Sequence, residues 1–150
     1  MDKLNLPTYD FKIQLNSLDK EEIFDVVRKT YVVLTPEEWV RQNILHFLHI
    51  ERAFPYSLMA VEKGLKINDK EYRADIVIYN TNGQAIFIVE CKAPGVKLTQ
   101  EVFQQAARYN LHYKVNYLMI TNGLQHYCAY IDFNNNSTKI LNQIPNFNQL

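Results

Sequence analysis

Three stretches of the sequence predict an α/β fold with a central mixed β-sheet flanked by α-helices on both faces. The first is residues 73–92, R-A-D-I-V-I-Y-N-T-N-G-Q-A-I-F-I-V-E-C-K, in which two apolar, β-branched runs flank Asn82-Gly83. Asn-Gly between such runs predicts a tight antiparallel hairpin with both central residues at positive φ. The second is the composition of that hairpin's two faces. Tyr72, Ala74, Ile76 and Ile78 oppose Ala85, Phe87, Val89 and Cys91 on one face, and the other is also largely apolar. A strand pair that is apolar on both faces is buried on both. The third is a pair of helix starts, at Thr35-Pro36 and at Thr99, on either side of the hairpin in the chain.

The bulk properties agree with one domain. The chain has 150 residues, of which 47% are hydrophobic and 21% charged, the balance of an ordinary globule with a core of its own. Lys and Arg number 16 and Asp and Glu number 16, so a protein that coats nucleic acid non-specifically is disfavoured, although a local basic rim is invisible in the sum. Only Cys91 and Cys128 occur, and the sequence shows neither a signal peptide nor an apolar run of the roughly 18 residues a membrane span needs. A reduced, cytoplasmic setting is the expectation, with no membrane partner.

In chain order, residues 1–35 form an N-terminal extension. Residues 11–15 and 22–24 alternate well enough to pair as a peripheral hairpin across Asn16-Ser17, and residues 25–31 read as a short connection whose Arg28 and Lys29 are solvated surface. Thr35-Pro36-Glu37-Glu38 then starts a helix, with Thr as N-cap, Pro at the first position and Glu three residues after the cap. It runs to about Leu48, with Val40, Ile44, Phe47 and Leu48 as its apolar stripe. Arg41 and Gln42, one turn on, read as facing substrate or solvent. His46 and His49 lie three apart but no third ligand completes a zinc site.

Residues 57–61 form the next strand, with Glu62 at its end. Asn68-Asp69 is a turn signal that pairs residues 65–67 with the start of the strand at Tyr72. The central hairpin follows, and Pro94-Gly95 ends it. Thr99 caps a helix to about Tyr113, packed through Val102, Phe103, Ala106, Ala107 and Asn110, while Gln105 and Tyr109, four apart, stand on one side. Residues 117–121 are a strand, joined through Asn122-Gly123 to a last segment over 125–132 by a hairpin or short crossover. Residues 133–150 read as a polar, loosely docked tail.

The hairpin register carries the chemistry. With Asn82-Gly83 as the loop, Thr81 faces Gln84, and counting back places Asp75 opposite Glu90. Glu90 and Lys92, two apart, share that face. Like charges across a strand pair repel, and carboxylates beside Ile76, Ile78, Ile86, Ile88 and Val89 lose hydration. A divalent cation would compensate them. Hard oxygen ligands on a rigid face suit Mg²⁺, which uses one or two carboxylates and leaves positions for water and phosphate. Lys92 would hold or help deprotonate an attacking water and stabilise charge on the phosphate. Together these residues read as a phosphodiesterase site. Cys91 points the opposite way, and nothing places a base beside it for a thiol nucleophile.

Asp75, an apolar spacer and then Glu90-Cys91-Lys92 resemble the D…(D/E)-x-K signature of the PD-(D/E)XK nuclease superfamily. Arg73-Ala74-Asp75-Ile76-Val77, Val89-Glu90-Cys91-Lys92-Ala93-Pro94 and Gln105-Ala106-Ala107-Arg108-Tyr109 resemble, further, the N-terminal nuclease domain of type I restriction enzyme R subunits, whose pattern adds Q-x-x-x-Y after E-x-K. Thr121-Asn122-Gly123 after a strand also fits. The resemblance covers about residues 36–132, and Ala74 stands where the superfamily signature has Pro.

The resemblance implies a restriction-endonuclease-like core and Mg²⁺-dependent endonuclease activity on DNA, with Mn²⁺ as a substitute ion. Asp75 and Glu90 would bind metal, with the Cys91 backbone carbonyl as a further ligand. Lys92 would position water, and Gln105 and Tyr109 would support the site. The superfamily often adds a carboxylate from the preceding helix, for which Glu38, its neighbour Glu37 and Glu62 are candidates, Glu38 being also the capping-box residue. No G-x-x-x-x-G-K-[ST] is present, so motor, methylation and specificity functions would come from other chains, and a homodimer would supply two cutting sites. The alternatives are a non-cleaving DNA-binding or assembly subunit and a structure-specific repair nuclease.

Overall fold

The structure is a computed structural model that describes residues 1–67 and 69–150, with side chains described at all of these but 65–67, 70 and 72. Strands β1 (Ile13–Leu15), β2 (Glu21–Asp25) and β3 (Thr30–Val33) form a small antiparallel sheet. The expected hairpin is its first two strands. The third arises because the connection is a tight turn: Asp25 Oδ1 accepts from the backbone N–H groups of Val27 and Arg28 at 2.8 and 2.7 Å, Lys29 takes φ +55°, and Thr30-Tyr31-Val32-Val33 returns as a β-branched strand.

Helix α1 (Pro36–Arg52) starts as its cap residues dictate, with Thr35 Oγ1 accepting from the Glu38 N–H at 3.0 Å. It extends a turn beyond Leu48 and stops where Ala53 adopts φ +62° and the Phe54 N–H reaches back to the Leu48 carbonyl.

The main sheet is mixed and has six strands, β4 (Met59–Ile67), β5 (Lys70–Tyr79), β6 (Ala85–Cys91), β7 (Tyr117–Thr121), β8 (His126–Asp132) and β9 (Ser137–Leu141), in that order. β6 and β7 are parallel and every other neighbouring pair is antiparallel. The parallel pair is connected through helix α2 (Gln100–Tyr113), capped by Thr99 as expected. β4 does not end at Glu62 but runs on through it to pair with the start of β5, as residues 65–67 were expected to do; Asn68 of the expected turn lies outside the described residues.

The central hairpin differs from expectation in its loop and agrees in its register. Only Gly83 has positive φ (+79°); Asn82 does not. The loop has three residues, 81–83, closed by Asn80 N–H to the Gln84 carbonyl at 2.8 Å, with Asn80 Oδ1 accepting from the N–H groups of Asn82 and Gln84. A bulge between Ile78 and Tyr79 then absorbs the extra residue: Tyr79 pairs with Ala85, but Ile78 pairs with Phe87 and Ile76 with Val89. The next step places Asp75 opposite Glu90, as a two-residue loop would have done.

The sheet's apolar side chains fall into two clusters. One joins Ile76, Ile78, Phe87, Val89, Cys91, Met119 and Cys128 to Val40, Ile44, Leu45 and Leu48 of α1 and to Phe54. The other joins Ala74, Val77, Ile88, Leu118 and Ile131 to Phe103, Ala106, Ala107 and Tyr113 of α2. Ala74 and Ala85 were expected with Ile76 and Phe87 and belong instead to the second cluster or its packing shell. The bulge explains Ala85. Ala74 sits where the strand alternation breaks, paired with Lys63 and beside Asp75, next to Glu62, which takes φ +52° within β4. The Tyr72 side chain is outside the described set.

β7 and β8 form a hairpin through Gly123 (φ +84°), where a Cβ would come within 2.7 Å of Leu4 and where the carbonyl receives the Asn5 N–H. The C-terminal stretch is not loosely docked. Residues 137–141 form an edge strand, Ile144, Phe147 and Leu150 pack on the first cluster, and Arg52 Nε donates to the Ile144 carbonyl at 2.8 Å. Their apolar spacing of three was hidden among polar residues. Among the described residues no helix is long and apolar enough to cross a membrane.

Candidate functional site

The irregularity around Asp75 brings charged side chains of α1, β4, β5 and β6 together. Both Asp75 oxygens are held: Oδ1 by Arg41 Nη2 at 2.8 Å, and Oδ2 by the Cys91 backbone N–H at 2.7 Å. The second bond draws Asp75 onto the β6 segment that carries Glu90 and Lys92. Arg41 is 4% exposed, far from the solvated or substrate-facing position expected of it. It also binds Glu38 Oε1 at 2.7 Å and lies 3.3 and 3.4 Å from the Glu37 and Glu62 carboxylates. Burial opposes its charge, but the hydrogen bond to Asp75 and the charges of Glu38 and Asp75 prevail and hold its proton more tightly than usual.

Behind Arg41 the network continues into the N-terminal sheet. Arg28, expected on the solvated surface, binds Asp25 Oδ2 at 2.7 Å and Glu38 Oε1 at 2.9 Å, with Glu62 at 3.6 Å. Gln42, fully buried, donates through Nε2 to Asp25 Oδ2 and Glu38 Oε2 at 2.9 and 3.1 Å. Burial alone would raise the Asp25 carboxyl, but hydrogen bonds from Arg28 and Gln42 bring it below its ordinary value. The reasons these residues were misread are local. An Arg or Gln one turn into a helix gives no sign of burial, and the only available signal was Glu37 and Glu38 at four- and three-residue spacing from Arg41.

Glu90 and Lys92 open on the other side, into a cleft of about 280 Å³ that is also lined by Arg73, Ala74, Gln105 and Tyr109. The Q-x-x-x-Y pair on α2 therefore faces the E-x-K pair on β6. Glu90 is pushed up to about 8, first by burial, then by the neighbouring charge of Asp75 and the hydrogen bond between the two carboxyls; Lys92 partly opposes the shift. Burial and the charge of Asp75 raise Glu37 too. The Cys91 thiol, wholly buried, is pushed well above its ordinary value by desolvation, which disfavours the thiolate a nucleophile needs.

Asp75, Glu90, Lys92, Gln105 and Tyr109 are thus neighbours in one region, with Asp75 behind Glu90 rather than lining the cleft itself. The extra-carboxylate candidates divide. Glu38 and Glu62 are engaged by arginines, and Glu37, which also meets Arg41 at 3.3 Å, interacts in addition with Asp75 and Lys92. Among the described residues no group of three or more His, Cys, Asp or Glu side chains is disposed to hold a metal ion. Mg²⁺ takes as few as one or two carboxylates, and the neighbouring Asp75 and Glu90, the latter raised by burial and by Asp75, are a hard-oxygen donor pair of that kind. The residues fit the ion.

A family model described as the type I restriction enzyme R protein N terminus (HSDR_N) matches residues 36–145. No curated protein matches the chain. Among solved structures, the chain is similar to a fragment described as an HsdR subunit of a type I restriction enzyme from Vibrio vulnificus YJ016, with TM-score 0.53 and 20% identity over 75% of this chain and 24% of that one. At that identity the likeness is one of fold, and the chain spans about a quarter of that fragment's length.

Proposed function

We propose, from the premise that this chain belongs to the family of type I restriction enzyme R protein N termini, that it is a Mg²⁺-dependent endonuclease domain of PD-(D/E)XK type that hydrolyses DNA phosphodiester bonds. The observation that carries the reading is the meeting of Glu90, Lys92, Gln105 and Tyr109 around one cleft, with Asp75 hydrogen-bonded behind Glu90. Part of the reading is a restriction-endonuclease-like core with α1 and α2 on opposite faces of the sheet, supported by the two separate apolar clusters they join.

Asp75, Glu90 and the Cys91 backbone carbonyl would hold Mg²⁺ or Mn²⁺. When bound, the ion supplies Lewis-acid polarisation of the scissile phosphate and offsets the paired carboxylates. The chain's own groups do the rest. Glu90, once its proton is released, would offer its carboxylate to the ion. The Lys92 ammonium orients the attacking water in line with phosphorus and balances charge building on the phosphate oxygens. Gln105, exposed on α2 across the cleft, donates its amide to a phosphate oxygen or to water, and Tyr109 flanks the substrate backbone. Arg73, 67% exposed at the cleft, adds positive charge where the phosphate chain enters.

The wider setting belongs to the same proposal. Other subunits of a type I restriction-modification assembly and DNA are its partners, and residence is cytoplasmic, which suits two buried, unpaired cysteines. The test is cleavage of supercoiled and linear plasmid with Mg²⁺, Mn²⁺ or EDTA, with Asp75→Ala and Lys92→Ala in parallel. Metal-dependent cleavage lost in both variants is the expected result. A folded, Mn²⁺-binding wild type that leaves DNA intact even with partner subunits added would reduce the domain to a DNA-binding or assembly role.

A further inference from the structure

The geometry points to a positioning chain that begins in the N-terminal sheet and ends on Asp75: Asp25 and Arg28 set Glu38 and Arg41, and Arg41 sets the Asp75 carboxylate. The inference rests on the reading of Asp75 as a site residue. It adds a role for the segment before residue 36, where the family match begins. Asp25 is fully buried, fixes Arg28 through Nε at 2.7 Å and receives the Arg28 backbone N–H at 2.7 Å. Arg28 and Arg41 converge on the same Glu38 oxygen, at 2.9 and 2.7 Å, and Arg41 passes from there to Asp75 at 2.8 Å.

Gln42 closes the network by bridging Asp25 to the other Glu38 oxygen. Every oxygen of Asp25, Glu38 and Asp75 receives a donor, so no carboxylate in the chain can rotate without breaking a bond. Buried charges tolerate this only as a mutually satisfied set, in which loss of one member is felt along the line. Arg28 and Arg41 are therefore positioning residues, and β1–β3 is part of the site's scaffold rather than an ornament on it.

The Cys91 amide reports the far end, because it donates to Asp75 Oδ2. Its hydrogen exchange, followed by NMR in the full chain without metal, is compared with that of Val89 on the same strand in wild type, Arg28→Gln and Arg28→Lys. Lysine keeps the charge but loses the fork that reaches Asp25 and Glu38 together. The expected result is a fall in Cys91 protection of about tenfold or more in both variants, the scale of a charged hydrogen bond, with Val89 unchanged. Unchanged Cys91 protection, or equal losses at Cys91 and Val89, overturns the proposal. Should Arg28→Gln fail to fold, Arg28→Lys carries the comparison.

Titration with Mn²⁺ adds a second reading. Removing the Arg28 charge on its own would tighten cation binding, whereas a displaced Asp75 weakens it. Weaker Mn²⁺ binding in Arg28→Gln supports positioning, and tighter binding with Cys91 unaltered refutes it. Loss of Cys91 protection in a chain whose wild type does not bind Mn²⁺ leaves the positioning chain standing and removes the metal reading.

Discussion

Glu90→Gln in the metal-free protein should raise stability at alkaline pH and flatten its pH dependence. The Glu90 carboxyl is pushed up to about 8 by burial and by Asp75, against an ordinary value of 4.5. Between those two pH values the folded chain keeps a proton that the unfolded chain has released. Its contribution to stability is therefore fully present below pH 4.5 and is lost as pH rises through about 8. One proton corresponds to about 1.4 kcal/mol per pH unit, so the window spans at most about 5 kcal/mol. Relaxation around the buried carboxyl absorbs part of the cost, which leaves about 2 kcal/mol as the expected advantage of the variant at pH 8. Urea denaturation of both proteins in EDTA from pH 5 to 9 measures the difference directly, since Asp25, held by Arg28 and Gln42, contributes equally to both curves. Parallel curves would refute the argument, because Glu90 would then titrate alike in the folded and unfolded chains. Added Mg²⁺ should remove the wild-type loss by taking the proton's place, with release of the proton detectable by calorimetry in buffers of different ionisation enthalpy.

The remaining expectations concern other links. Arg41→Ala strips a buried partner from both Glu38 and Asp75 and should cost about 3–5 kcal/mol in urea denaturation, far more than an exposed ion pair would. Gln105 is exposed, so Gln105→Ala should leave stability within about 0.5 kcal/mol of wild type while plasmid cleavage falls by about 10–100-fold, the usual cost of removing a supporting polar contact at a metal site. Gly83→Ala forces a side chain to φ +79° and should cost roughly 1–2 kcal/mol, visible as a lower urea midpoint with cleavage unchanged per folded molecule. Phe54→Ala, which empties the fully buried ring packed against Phe87 at 5.7 Å, should cost about 3–5 kcal/mol.

The elements legible in the sequence were those whose signals are local. Thr35-Pro36 and Thr99 announce their helices through cap chemistry, and the runs around Asn82-Gly83 announce their strands through branching and apolarity. The register of the site was right although the loop was not: the structure has a three-residue loop where two residues were expected, and the bulge at Ile78 restores the pairing. The buried face places Ile76, Ile78, Phe87 and Val89 against α1, and this packing selects the register whatever the turn does. β3 and β9 were missed because each follows a turn closed by an aspartate side chain, Asp25 and Asp132, which polar composition disguises as loop. Arg28, Arg41 and Gln42 were misplaced for a different reason. Their burial depends on partners up to 34 residues away in sequence, which no window along the chain contains.

The same network offers an argument for the site's location that owes nothing to the family match. Proteins depart from local rules where something other than stability is being served. Here four departures meet in one place. Glu62 adopts φ +52° inside a strand, Asp75 and Glu90 set like charges side by side, and Arg41 is buried with its Nε unpartnered. Gln42 is buried with its Oε1 unpartnered too. A structural core has no use for such a cluster, since apolar residues of similar volume would be as stable or more so. The cost becomes intelligible if the set exists to hold a restrained Asp75 behind a proton-holding Glu90, which opens on the cleft that Lys92, Gln105 and Tyr109 also line. Family resemblance and local physics thus single out the same layer of the molecule. The physics also extends it beyond the signature residues, to an arginine on α1 and an aspartate–arginine pair in the N-terminal sheet.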